Sequence, residues 1–165
     1  MMTVGFGGGC HWCTEAVFQA VRGVREVRQG FIRAASPHDS YSEAVDVSFD
    51  AAVVPFDALI RVHLATHAST SAHSMRGKYR SAVYTRDAEM AELARQAIRS
   101  AETENDASFV TLVLPHCGFK SSDAQFHNYR ATGPERPFCK TYIDPKLARL
   151  RREFAHLMTE SPADI

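Results

Sequence analysis

Cys10, His11, Trp12 and Cys13 follow directly on three glycines, Gly7-Gly8-Gly9. Glycine lets the backbone adopt positive φ and come close to a ligand. A helix that begins at Cys10 offers unpaired N–H groups and the positive end of its dipole. A thiol at that place loses its proton more readily, and the thiolate is the nucleophile. The plainer reading makes Cys10 a small buried residue, the usual fate of a free cysteine. The glycine run and the helix start together favour a reactive thiol. Cys10-x-x-Cys13 admits three readings. Redox or nucleophilic chemistry ranks first. A core role for Cys13 ranks second, because it shares a helical face with Val17 and Val21. Zinc ranks third: Cys117 and Cys139 are the remaining cysteines, but they do not form a second CxxC. No metal is expected.

A second chemical group comes from the segment Tyr41 to Phe49. With a period of two, Tyr41, Glu43, Val45, Val47 and Phe49 share one face, and Ser42, Ala44, Asp46, Ser48 and Asp50 share the other. Glu43 therefore points to the side of the core. A carboxyl held there favours its neutral form and can donate a proton near neutrality. A glutamate at the mouth of a strand that simply reaches solvent fits the pattern equally well. Paired with a thiolate, the acid would supply the proton for a leaving oxygen.

The elements that position these groups alternate. Strands are predicted at Thr3 to Phe6, Val24 to Ile32, Tyr41 to Phe49, Tyr79 to Tyr84 and Phe109 to Leu114, the last closed by Pro115. Helices are predicted from Cys10 to about Val21, ended by Gly23; from Pro55 as first helical residue to about Thr66; from Asp87 to Glu102; around Asp123 to Tyr129; and from Lys146 to about Met158. Ser36 to Ser40 and Ser69 to Gly77 read as loops. Interleaved strands and helices about one core give an α/β or α+β class. At 165 residues, 45% of them hydrophobic, the chain suits a single domain spanning 1–165. Such a domain needs neither disulfide nor metal to fold. Nineteen basic residues balance nineteen acidic ones, which excludes global attraction to nucleic acid or an anionic membrane. Lys146, Arg149, Arg151 and Arg152 read as a solvated basic face. The N-terminus lacks a basic region and an apolar stretch, no apolar run is long enough to span a bilayer, and free thiols suit the cytoplasm.

The segment from Phe6 to Phe18 resembles the active-site segment of type A peptide methionine sulfoxide reductases, Gly-Gly-Cys-Phe-Trp followed by Glu-Ala-x-Phe. Further blocks match in order. Ser42-Glu43-Ala44-Val45 resembles that family's His-Ala-Glu-Val, aligned on the glutamate. His67-Ala68-Ser69-Thr70 resembles its His-Asp-Pro-Thr, and Tyr79-Arg80-Ser81-Ala82 its Tyr-Arg-Ser-Ala. Ala124 to Tyr129 resembles its Glu-Asp-Tyr-His-Gln-x-Tyr, and Pro137-Phe138-Cys139 its Pro-Tyr-Cys. The resemblance implies an α+β fold with a mixed central sheet of ferredoxin-like type, and reduction of methionine-S-sulfoxide, free or in peptides. It implies Cys10 as nucleophile, Glu43 as proton donor to the sulfoxide oxygen, and Tyr79 as hydrogen-bond donor to that oxygen. Trp12 would wall the methyl pocket, with His127 and Tyr129 supporting it. Cys10 would become a sulfenic acid, a second thiol would condense with it, and a thioredoxin-like dithiol would reduce the disulfide, with no bound cofactor.

The chain also departs from the family pattern. His11 stands where the family has phenylalanine, a position to contact a polar substrate group or tune the thiolate. Counting back from Glu43 to the family's oxygen-binding tyrosine reaches Phe31, and Tyr41 is the candidate substitute. Ser74, or Met75 with a shifted gap, stands where the family has aspartate. Cys139 is the favoured resolving thiol and Cys13 the rival, while Cys117 receives no role. The alternatives are reduction of a different small sulfoxide, a non-catalytic thiol sensor, and a thiol–disulfide oxidoreductase using Cys10 and Cys13.

Overall fold

A computed structural model of the chain describes residues 1–70 and 79–159. Six strands, β1 (Met2–Gly7), β2 (Val24–Arg33), β3 (Ser42–Phe49), β4 (Ala82–Thr85), β5 (Leu112–Pro115) and β6 (Gly118–Ser121), form one sheet in the order β5-β4-β1-β3-β2-β6. Only β4 and β5 pair in parallel, so the sheet is mixed. The helices are α1 (His11–Gln19), α2 (Phe56–Ala65), α3 (Ala88–Asn105), α4 (Tyr129–Thr132) and α5 (Asp144–Glu153), the last preceded by a π-helical turn over Cys139–Ile143. No described helix is long and apolar enough to cross a membrane.

The alternation read in β3 defines the layers. Val45, Val47 and Phe49 join Val4 and Phe6 of β1 in the main core, against Val17 and Phe18 of α1, Leu59 and Ile60 of α2, Ala94 and Ile98 of α3, and Leu147 and Leu150 of α5. Each of the larger side chains among them contributes about 1.5–3 kcal/mol on burial. Ala44 lies on the opposite face with Ile32, Ala82 and Tyr84, in a second and smaller cluster. The helices thus cover the face that carries Glu43, and polar side chains close much of the other.

Several boundaries shift from their predicted places. Pro55 caps α2 in extended conformation (ψ 149°) instead of opening it, and Asp87 caps α3 by accepting the N–H of Met90 at 2.8 Å. Pro115 is the last residue of β5. That strand lies at the sheet edge, so its missing N–H costs the ladder nothing. The segment Asp123 to Tyr129 is a 3₁₀ turn over Ala124–Phe126 followed by left-handed Asn128 (φ 56°) and α4, not one helix. β6 was not anticipated.

Candidate active site

The turn from β1 into α1 is built for close approach. Gly8 and Gly9 have φ of 149° and 94°, and a side chain on Gly8 would collide with the ring of His67. His63 Nε2 donates to the Gly7 carbonyl at 2.8 Å, which pins the turn to α2. Cys10 follows as the N-cap of α1, with its carbonyl accepting the N–H groups of Cys13 and Thr14. Its thiol is held below the ordinary range, first by a hydrogen bond from the Cys13 thiol. Burial works against this, the main-chain N–H groups of Trp12 and Cys13 support it, and the Glu43 charge opposes it. Cys13 is pushed upward by the same hydrogen bond, by burial and by the Cys10 charge.

Cys10, His11, Trp12, Phe31, Glu43 and Tyr79 line one cavity of about 730 Å³. Sheet register explains much of it. Glu43 of β3 lies opposite Phe31 of β2, which lies opposite Lys120 of β6, so the three form a row across the cavity floor. Phe126 and Phe138 complete an aromatic wall around Trp12, each with its ring centroid 5.2 Å from that of Trp12. Tyr129 stacks behind the indole at 4.2 Å and 11°. Buried Glu15 ties this wall to α1 by accepting from Gln29 Nε2 and from the main-chain N–H groups of Asn128 and Tyr129.

His11 is buried beside Glu43. Its Nδ1 lies 2.6 Å from the Gly30 carbonyl, its Nε2 lies 3.5 Å from Glu43 Oε1, and its main-chain N–H donates to that same oxygen at 3.2 Å. Phe31 meets its ring edge-on at 5.2 Å.

Two expected substrate contacts are not in the cavity. Tyr41 precedes the first residue of β3, so the strand alternation does not reach it. It is exposed, with its hydroxyl against Gly118. His127 follows the 3₁₀ turn in extended backbone. It lines a neighbouring groove with Glu15 and Arg28, its Nε2 3.2 Å from Ser121 Oγ, while Phe126 takes the cavity position. Ser74 and Met75 lie outside the described residues. Cys139 is fully buried, its thiol donating to the Gly133 carbonyl, and burial raises it. Cys117 is exposed, next to His116 at the entry to β6. Among the described residues, no group of three His, Cys, Asp or Glu side chains is placed to hold a metal ion.

Lys146 does not lie on the solvated basic face expected of the last helix. Instead it is partly buried where α5 meets α1, its Nζ donates to the Thr66 carbonyl at the end of α2, and its charge acts on both Cys13 and Cys10. Lys120, Phe126 and Phe138 were likewise not singled out. Phe126 and Phe138 lie inside sequence blocks that match the family, and Lys120 lies on the unanticipated β6.

A family model described as peptide methionine sulfoxide reductase matches residues 2–158. The chain is 36% identical to the peptide methionine sulfoxide reductase MsrA of Ralstonia nicotianae, over 93% of this chain and 91% of that protein. It is 32% identical to that of Chromobacterium violaceum, over 92% and 96%. Similar solved structures include Mxr1 from Saccharomyces cerevisiae in reduced form, with TM-score 0.73 and 16% identity over 86% of this chain and 90% of that one. Methionine sulfoxide reductase A of Corynebacterium diphtheriae aligns with TM-score 0.65 and 23% identity over 80% and 74%. Yeast Mxr1 in complex with Trx2 aligns with TM-score 0.61 and 15% identity over 78% and 84%.

Proposed function

The chain belongs to the peptide methionine sulfoxide reductase family, and from that premise we propose that it reduces methionine-S-sulfoxide, free or in peptides, through Cys10. The observation that carries this reading is one aromatic-walled cavity lined by the lowered thiol of Cys10, the buried carboxyl of Glu43 and Tyr79. Trp12, Phe126, Phe138 and Phe31 offer an apolar seat for an S-methyl group. The Cys10 thiolate attacks the sulfoxide sulfur, Glu43 protonates its oxygen, and Tyr79 donates to the same oxygen. In net terms a thiolate, a sulfoxide and one proton become a thioether and the Cys10 sulfenic acid. The sulfoxide sulfur gains the two electrons that the Cys10 sulfur loses.

Cys13 then displaces water from the sulfenic acid to form a Cys10–Cys13 disulfide. Supporting this choice over Cys139 are the hydrogen bond that already joins the two thiols and the complete burial of Cys139. A thioredoxin-like dithiol then returns both thiols, a partner suggested by the yeast Mxr1 complex with Trx2. The finer fold description is ferredoxin-like, supported by the antiparallel order β4-β1-β3-β2 with α1 and α2 as the connecting helices.

Incubation with a dabsylated methionine-S-sulfoxide peptide and dithiothreitol tests the reading. The parent should turn over, Cys10→Ser should be inactive, and parent-level activity in that variant sinks the mechanism. Mass spectrometry of substrate-oxidised protein should find Cys10 linked to Cys13, and a Cys10–Cys139 linkage would restore Cys139 as the resolving thiol. A second reading, reduction of another small methyl sulfoxide, draws on His11 and Phe31 standing where the family has phenylalanine and tyrosine. Trapping of Cys10 by such a sulfoxide without turnover of methionine sulfoxide would select it.

A further inference from the structure

The surroundings of His11 dictate where its protons are. The Gly30 carbonyl can only accept, and it lies 2.6 Å from Nδ1, so Nδ1 carries a hydrogen. In the neutral ring Nε2 is then a bare acceptor. It faces Glu43 Oε1 at 3.5 Å, with the His11 and Glu43 side chains only 7% and 10% exposed. An ionised Glu43 would put two acceptors against each other in a site largely removed from water, an arrangement that costs free energy. One proton between them removes the conflict, either as imidazolium facing carboxylate or as carboxylic acid facing neutral imidazole. Both forms are neutral overall, which suits burial.

We propose that His11 and Glu43 act as a dyad that holds one proton between them and delivers it through Glu43 to the sulfoxide oxygen. The proposal rests on the sulfoxide-reduction reading and deepens it. Glu43 is the member that reaches substrate, and His11 is a positioning residue that keeps the proton available. Delivery leaves a carboxylate facing a neutral imidazole. The proton ends in the O–H of the Cys10 sulfenic acid, and the dyad resets by taking one proton from solvent. Among the described residues, the titratable groups that line the same cavity are Cys10 from the start of α1, Tyr79, Lys120 across Phe31, and Asp123, while Phe31 itself contributes an apolar ring edge.

Nitrogen-15 NMR of histidine-labelled, substrate-free protein reads the pair directly, with His11→Phe assigning the resonances. Nδ1 of His11 should be protonated at neutral pH, and Glu43→Gln should shift the Nε2 resonance. A neutral ring with its only proton on Nε2 overturns the proposal. Rapid-quench single turnovers should show His11→Phe slowing sulfoxide reduction by about tenfold without raising KM, the lower part of what a positioned acid contributes. In a Glu43→Gln background the same change should cost less than about twofold, because paired residues are not additive. Full additivity, a raised KM with an unchanged rate, or a His11→Phe variant faster than the parent each overturns it. The NMR arm needs no substrate, so its result stands apart from the activity assay that tests the sulfoxide reading.

Discussion

Strand β3 carries two buried carboxyl groups three residues apart, on opposite faces of the sheet. Asp46 is 1% exposed and is met by Arg28 Nη2 at 3.1 Å, Arg86 Nη2 at 3.0 Å and His116 Nε2 at 3.1 Å. Burial is the largest influence on it and would raise it. The His116 hydrogen bond and the charges of His116, Arg86 and Arg28 outweigh that, and hold it below the ordinary range. Glu43 is 8% exposed and faces a cavity, where its Oε1 accepts the His11 main-chain N–H and lies 3.5 Å from the His11 ring. The two groups differ little in burial and greatly in neighbours. Arg28 and Arg86 fix the Asp46 carboxylate as a structural anion, whereas Glu43 opens onto the cavity that holds Cys10. On the Asp46 face, Arg80 extends the same structural logic by donating to the Tyr84 hydroxyl and to the carbonyls of Ile32 and Ser40.

Swapping the amide into each position is the strongest way to break the comparison. Glu43→Gln should slow sulfoxide reduction by ~10²–10⁴-fold, the contribution of a general acid, with little change in melting temperature. Asp46→Asn should do the reverse, leaving the single-turnover rate within about threefold while removing ~2–3 kcal/mol of stability. That loss sits below the cost for a fully buried pair because Arg28 and Arg86 are half-exposed. Rapid quench and urea titration on both variants give the two readouts. A stability loss at Glu43 with intact chemistry would erase the distinction.

Acid sharpens it further. Asp46 is ionised more readily in the folded chain than its ordinary value of 3.8 implies. Its stabilising contribution is therefore fully present above that value and is lost as pH falls through the lowered native one. Thermal melts from pH 6 down to about pH 2 should fall more steeply in the parent than in Asp46→Asn, converging at the acid end. Parallel curves would show that the cluster does not carry the acid sensitivity.

Much of this was legible in residue pattern, and what was not has a physical cause. The face of β3 with Val45, Val47 and Phe49 announced itself because apolar alternation needs only local spacing, and it carried Glu43 with it. The same alternation puts Asp46 on the opposite face and says nothing of its partners. Its burial comes from Arg28, Arg86 and His116, which arrive from β2, the end of β4 and the turn after β5. β6 was missed because Gly118-Phe119-Lys120-Ser121 is short and has no clear alternation. It is a strand by virtue of pairing with β2, and that pairing is what brings Lys120 to the cavity. Tyr41 was placed in the site by extending the alternation one step past where the strand begins. The spacing of Cys10 and Cys13 at a helix start is local and visible in the sequence, but the burial of Cys139 depends on how the π-helical turn packs against α1.

The smallest expected effect carries the contrast from carboxyls to thiols. In the proposed resolving step Cys13 has to lose its proton before it can attack an oxidised Cys10, and in the reduced protein its hydrogen bond to the Cys10 sulfur holds that proton in place. Once Cys10 is a sulfenic acid, its negative charge is gone and that restraint goes with it. The Lys146 ammonium, anchored on the Thr66 carbonyl, then favours the Cys13 thiolate, while Cys139 on the other side opposes it. Burial lowers Lys146 itself, the charge of Cys13 raises it and that of Arg149 lowers it, so the ammonium depends partly on the thiolate it serves. Lys146→Met keeps the aliphatic stem and removes the charge. It should leave the burst of sulfenic acid unchanged and slow disulfide formation by about fivefold, the equivalent of ~1 kcal/mol for a partly screened charge pair. Lys146→Arg should recover part of that loss, because a cation is retained there. Raising the pH should narrow the gap between parent and Lys146→Met, since Cys13 then ionises without help. A gap that is constant across pH would mean that Lys146 acts through packing of α5 against α1 and not through its charge.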